Sequence, residues 1–178
     1  MTTYVALLRG IGPGNPNMRN EKLRGVFEQL GMKNVRSVIS SGNIIFDSIQ
    51  TDTSRLEAMI EEAWPRELGF HSTTIIRSSD EIKQLLKDRT FADYADTADE
   101  RLQITFTKRT NHRAALPYKD PDGWFAILAY KKGAVFSTYN STNQKAARLM
   151  TWLEKQYGKE ITTRTWKTVG RIARYFDQ

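Results

Sequence analysis

The chain has 178 residues, with 27 Lys and Arg against 20 Asp and Glu, two His and no Cys, for a net charge of +7. A chain of this length forms one domain, or two small lobes, and buries enough surface to stand without covalent staples. The lack of Cys excludes a disulfide scaffold, zinc fingers, iron–sulfur clusters and thiol catalysis.

The first apolar run is Tyr4 to Leu8, far short of the ~20 residues of a membrane span. No secretion signal is read at the start, so the expectation is a cytoplasmic protein with no membrane partner. The run reads as a buried strand that enters a Gly-rich loop, Arg9 to Asn15. Leu23, Val26, Phe27 and Leu30 then recur at i, i+3, i+4 and i+7, a helical stripe that Gly31 stops. Residues 34–40 and Ile44 to Phe46 flank Ser41-Gly42-Asn43 and predict two strands joined by a tight turn. Leu56, Met59, Ile60 and Ala63 predict a second helix, opened by the Thr/Asp/Ser cluster at 51–54 and ended or kinked by Pro65. Thr73 to Ile76 is the next strand. Ser78 to Glu81 fits a capping box ahead of Ile82, Leu85 and Leu86. The order through residue 77 is β-α-β-β-α-β, the split, ferredoxin-like pattern, with both helices on one face of a four-stranded antiparallel sheet.

Residues 91–100 hold four acids and no base, and read as an acidic linker between a 1–90 lobe and a 101–178 lobe. Leu102 to Phe106 alternates with period two. Trp124 to Tyr130 and Ala134 to Tyr139 flank Lys131-Lys132-Gly133, a hairpin pattern. Ala146, Leu149, Met150, Leu153 and Tyr157 mark a helix stopped by Gly158, and a last helix is predicted from Thr163 to Phe176. The fold class expected is α+β: two ferredoxin-like (α/β plait) lobes with antiparallel sheets, the second carrying an extra C-terminal helix. Charge divides unevenly. Residues 1–90 hold 12 bases and 11 acids, whereas residues 101–178 hold 15 bases and five acids.

The opening YVALLRGIGPGN resembles that of a widespread bacterial family known as domain of unknown function 1697, whose first strand ends L-L-R-G-I-N-x-G-G. Leu7, Leu8, Arg9, Gly10, Ile11 and Gly14 match it, while Gly12 replaces the Asn. The S-G-N turn matches at Ser41, Gly42 and Asn43. The family's T-x-R-N-W-N-T-V stands here as Thr162 to Val169, with Thr165 and Lys167 in place of the two Asn. The resemblance spans the chain and implies a pair of ferredoxin-like lobes. It implies no activity.

Three constellations are candidates for chemistry. Arg9, Gly10, Gly12 and Gly14, between a strand and a helix, fit either a backbone cradle for an anion or a sharp turn. The spacing is neither a dinucleotide fingerprint nor a phosphate-binding P-loop. Ser41-Gly42-Asn43 is explained by turn chemistry, and Asn43 joins the anion candidates as a polar group beside that loop. Arg164, Lys167, Arg171 and Arg174 recur at i, i+3, i+7 and i+10, one basic face of a helix whose apolar face holds Trp166, Val169, Ala173 and Phe176. A fourth stretch, Lys132 to Tyr139, overlaps an RNA-recognition pattern but lacks its opening aromatic, so it reads mainly as a hairpin. Lys108, Arg109, His112 and Arg113 would extend a basic rim.

His71 and His112 have no paired spacing, the adjacent Glu61 and Glu62 are not a working acid/base pair, and no nucleophile elbow is present. No metal or cofactor is expected, and the sequence leaves catalysis undecided. The leading expectation is a non-catalytic binding protein for a phosphate-bearing partner, nucleic acid first. The alternatives are an enzyme or sensor for a small phosphorylated or nucleotide ligand held between the lobes, and a protein–protein adaptor. Oligomeric state is left open.

Overall fold

Seven residues of alternating β-branched, aromatic and apolar character form strand β1 (Thr2–Leu8), and Tyr4 through Leu8 are all buried. Burial of consecutive residues means that both faces of β1 are covered. The computed structural model describes residues 1–108, 114–142 and 146–178. The chain divides into two units: Met1–Leu86 with Gly170–Gln178, and Lys87–Val169. It is an α+β protein, with two antiparallel sheets and five α-helices among the described residues.

In the first unit, β1 is followed by a 3-10 turn at Pro16–Met18, helix α1 (Asn20–Gln29), β2 (Lys33–Ser37), β3 (Asn43–Ser48), α2 (Thr53–Leu68), β4 (Thr74–Ser78) and α3 (Ser79–Leu86). The sheet order is β2-β3-β1-β4. Leu23, Val26 and Phe27 of α1 and Leu56, Ile60, Ala63 and Trp64 of α2 form one buried cluster with Tyr4, Ala6, Leu8, Ile44, Phe46 and Ile76. Alternate strand residues and the two helical stripes thus share one core, as the periodicity predicts.

Helix α2 does not end at Pro65. Pro65 lies inside it, and the helix stops only at Gly69, in the left-handed region at φ 75°, whose N–H donates to the carbonyls of Trp64 and Pro65. A proline within a helix costs about 3 kcal/mol or more. The compensation sits next to it: Trp64 is fully buried, donates its indole N–H to the Thr74 hydroxyl at 3.0 Å, and stacks on Phe70 at 5.6 Å. At the other end Asp52 accepts from the amides of Ser54 and Arg55, the N-cap that the sequence pattern announces. The capping box of α3 forms as expected: the Glu81 N–H donates to the Ser78 hydroxyl at 3.2 Å and the Ser78 N–H to the Glu81 carboxylate at 2.7 Å.

In the second unit, β5 (Glu100–Thr107), β6 (Tyr118–Lys119), β7 (Phe125–Lys131), β8 (Ala134–Asn140), α4 (Ala146–Tyr157) and β9 (Ile161–Thr165) precede α5 (Trp166–Phe176), which continues into the first unit. The sheet order is β6-β7-β8-β5-β9. Leu149, Leu153 and Tyr157 of α4 pack on Phe125, Ile127, Val135 and Ile161. Lys132 and Gly133, at φ 48° and 75°, close the β7–β8 hairpin.

Two boundaries differ from the sequence reading. The segment 91–100, read as a linker, lies within the second unit: Phe91 is buried and its ring centroid is 5.2 Å from that of Phe136 and 5.1 Å from that of Trp166. Helix α5 starts at Trp166 rather than Thr163, because the run Ile161–Thr165 pairs with β5 from Thr107 to Gln103. The β-branched residues of that run favour the strand.

Candidate functional site

The Gly-rich loop leaves β1 at Arg9, whose N–H donates to the Thr73 carbonyl and whose own carbonyl accepts the Ser72 hydroxyl at 2.7 Å. Gly10 takes φ 72°, a left-handed conformation that favours glycine, whereas Gly12 and Gly14 do not need it. The loop folds on itself. Asn15 N–H donates to the Gly12 carbonyl, Asn17 N–H to the Asn15 side chain, Met18 N–H to the Asn15 carbonyl, and Gly12 N–H to the Met18 sulfur at 3.5 Å. Those amides point at the loop itself and are taken up by it.

The Ser41-Gly42-Asn43 turn does lie beside this loop. A Cβ on Gly42 would stand 2.8 Å from Ile11 Cγ1 and 3.0 Å from Leu8 Cβ, and Gly42 has φ 74°. Gly42→Ala is therefore expected to lower stability by more than about 1 kcal/mol in a urea titration. Gly14→Ala, which meets open space at an ordinary φ, should leave the midpoint unchanged or slightly raised. Equal losses at both would sink this assignment. Asn43 is fully buried, and its amide nitrogen donates to the Val38 carbonyl at 3.1 Å and the Ser41 hydroxyl at 2.9 Å. It ties the turn, and that occupation of its amide accounts for the third residue of the motif.

The basic stripe loses its first member. Arg164 is in β9, paired across from Ile104, and is buried. Its guanidinium donates to the Thr162 hydroxyl and to the Thr163 carbonyl, both at 2.8 Å. Burial pushes its pKa down to about 10, because removing the charge from water disfavours the ionised form. Lys167, Arg171 and Arg174 do share one face of α5, at i, i+4 and i+7, and all three are exposed. Lys167 has Asp96 at 3.7 Å. Among the described residues, Arg171 and Arg174 have no carboxylate within ion-pair distance. The opposite face buries Val169, Ile172 and Ala173.

The Lys132–Tyr139 hairpin offers no open stacking surface at Phe136, which is fully buried between Phe91 and Trp166. Lys108 ends the described stretch that follows β5, and Arg109, His112 and Arg113 lie outside the described residues. Among the described residues, no group of three or more His, Cys, Asp or Glu side chains could hold a metal ion, and no helix is long and apolar enough to cross a membrane.

The family model for a protein of unknown function, domain of unknown function 1697, matches residues 1–122. The chain belongs to that family. In this member of the domain of unknown function 1697 family, the first two motifs are the loop and the turn that Gly42 packs together. The third, beyond the matched stretch, is the β9–α5 junction where Trp166 packs on Phe91 and Arg164 on Thr162. No curated protein matches the chain. A solved structure of the conserved bacterial protein SP0830 from Streptococcus pneumoniae is similar over 100% of this chain and 99% of that one, with a TM-score of 0.76 and 23% identity. At that identity the likeness speaks for the fold alone.

Two features escaped the sequence reading. Glu57 and Glu61 each accept a backbone N–H of β4, and Arg148 is held between Asp120 and Asp122. The first leaves no pattern in the sequence. The second shows in the sequence only as one helical face holding Arg148, Thr151, Trp152 and Lys155 at i, i+3, i+4 and i+7, with no sign of the two Asp partners.

Proposed function

We propose that this protein is a non-catalytic binding protein for a phosphate-bearing partner, with nucleic acid as the partner its charge fits best. The observation that carries the reading is the exposed face of α5. Lys167, Arg171 and Arg174 project from one side of an 11-residue helix, and the two arginines have no ion-pair partner among the described residues. Exposed, uncompensated guanidinium groups at helical spacing suit phosphate oxygens, which they bind bidentately. A cytoplasmic location goes with this reading. We infer as well that both sheets are ferredoxin-like plaits: the orders β2-β3-β1-β4 and β7-β8-β5-β9 repeat one pattern, with β6 added at the edge of the second.

The test is binding of single- and double-stranded oligonucleotides across a salt titration. Phosphate neutralisation releases counterions, so log K should fall linearly with log salt. Arg171→Glu with Arg174→Glu should weaken every sequence alike and flatten the slope by about one per lost contact. No binding at low salt, or binding indifferent to salt, would remove the reading.

A further inference from the structure

Helix α4 and the edge strand β6 enclose a groove of about 480 Å³, lined by Tyr118, Phe125, Arg148, Thr151, Trp152 and Lys155 among others. Its floor is aromatic. The rings of Tyr118 and Trp152 stack with centroids 4.9 Å apart at 25°, and Phe125 meets Trp152 edge-on at 6.2 Å. Trp152 and Tyr118 are only half-buried, so part of this platform faces the groove.

The rim is polar and built. Arg148 donates to the Asp122 carboxylate at 2.6 Å and reaches Asp120 at 3.5 Å. Asp120 is itself buried and accepts the Trp124 N–H at 3.2 Å, so the guanidinium is held by a fixed anchor. The two carboxylates also balance its charge. Lys155, two helical turns further along the same face, is exposed and has no ion-pair partner among the described residues. Stacked aromatic rings beside a fixed guanidinium and a free ammonium provide what a nucleobase and its phosphate need: a π-surface for the base, donors for its edge and a cation for the anion.

We propose that this groove takes a nucleotide, the base against Tyr118 and Trp152 and the phosphate at Lys155. The proposal rests on the phosphate-binding reading above and deepens it by placing base contact on α4. A single-stranded nucleic acid and a free nucleotide share this chemistry.

The experiment uses the full chain, a fluorescein-labelled 12-nucleotide oligo-U strand, AMP and inorganic phosphate, read by fluorescence polarisation. Thr151 is exposed on α4, so Thr151→Trp fills the groove without opening the core. Thr151→Trp, by displacing a stacked base, and Lys155→Gln, by removing a phosphate contact, should each weaken strand binding about tenfold. Asp122→Asn, which removes one of the two carboxylates that balance Arg148, should tighten it several-fold. Circular dichroism confirms the fold of each variant. AMP competing where inorganic phosphate does not supports the groove with free nucleotide as its occupant. AMP silent while both groove variants weaken the strand supports it with a strand as the occupant. Salt-dependent strand binding indifferent to all three variants overturns the groove and leaves the α5 reading standing. No strand or AMP binding by the wild-type chain overturns both.

Discussion

Glu57→Ala is expected to destabilise the first unit by about 2–4 kcal/mol, a large loss for a charged side chain on an amphipathic helix. Strand β4 is the edge of its sheet, so its outward amides have no neighbouring strand among the described residues. The Ile76 N–H donates to Glu57 at 2.8 Å, the Thr74 N–H to Glu61 at 2.8 Å, and the Ser78 N–H to Glu81 at 2.7 Å. Three carboxylates thus occupy alternate positions along the open edge. Glu57 is buried, so its removal leaves an amide without water to replace the partner, a penalty of about 1–3 kcal/mol beyond the lost charge-assisted bond. Glu57→Gln keeps an acceptor oxygen and should recover most of the loss. Urea titration of the two variants checks this, and a Glu57→Ala midpoint equal to that of the wild type would refute it. Because an open strand edge templates pairing with another chain, the Glu57→Ala, Glu61→Ala double variant should also aggregate on heating where the wild type does not.

Trp64→Ala is expected to cost about 3–5 kcal/mol, the range for removing a large aromatic from a packed core. Trp64 is fully buried, with Phe27 at 5.9 Å and Phe70 at 5.6 Å between ring centroids. The polar end adds a separable part. Thr74→Val leaves the indole N–H buried without its hydroxyl, costing about 1–3 kcal/mol, whereas Trp64→Phe with Thr74→Val removes both partners together. In a double-mutant cycle the pair should therefore lose less than the sum of the two single changes. Strict additivity would mean that the 3.0 Å contact contributes nothing.

Both residues lie on α2, and they differ in how far the sequence foretells them. Trp64 follows the stripe of Leu56, Ile60 and Ala63, so its burial is legible as periodicity, and only the persistence of the helix through Pro65 is not. Glu57 and Glu61 are legible only as charges on a helix. Their task depends on β4 arriving alongside with its amides outward, which is a fact of strand order.

The sequence by itself determined the class, the first sheet's strands and helices, the capping box and the hairpin turns. These follow from local rules: side-chain period, φ preference and cap hydrogen bonds. It also determined that Arg171 and Arg174 share a helical face with Lys167. Tertiary structure decided the rest. Arg164 left the basic stripe because its segment pairs with β5. Asn43 became a buried tie for the turn, and Phe91 drew the acidic segment into the second unit. The polar groups of β4 and of the α4 groove took their partners from elements distant in the chain. Local propensity acts over a few residues, whereas a buried polar group is satisfied by whatever the fold brings to it, and no spacing in the sequence records that.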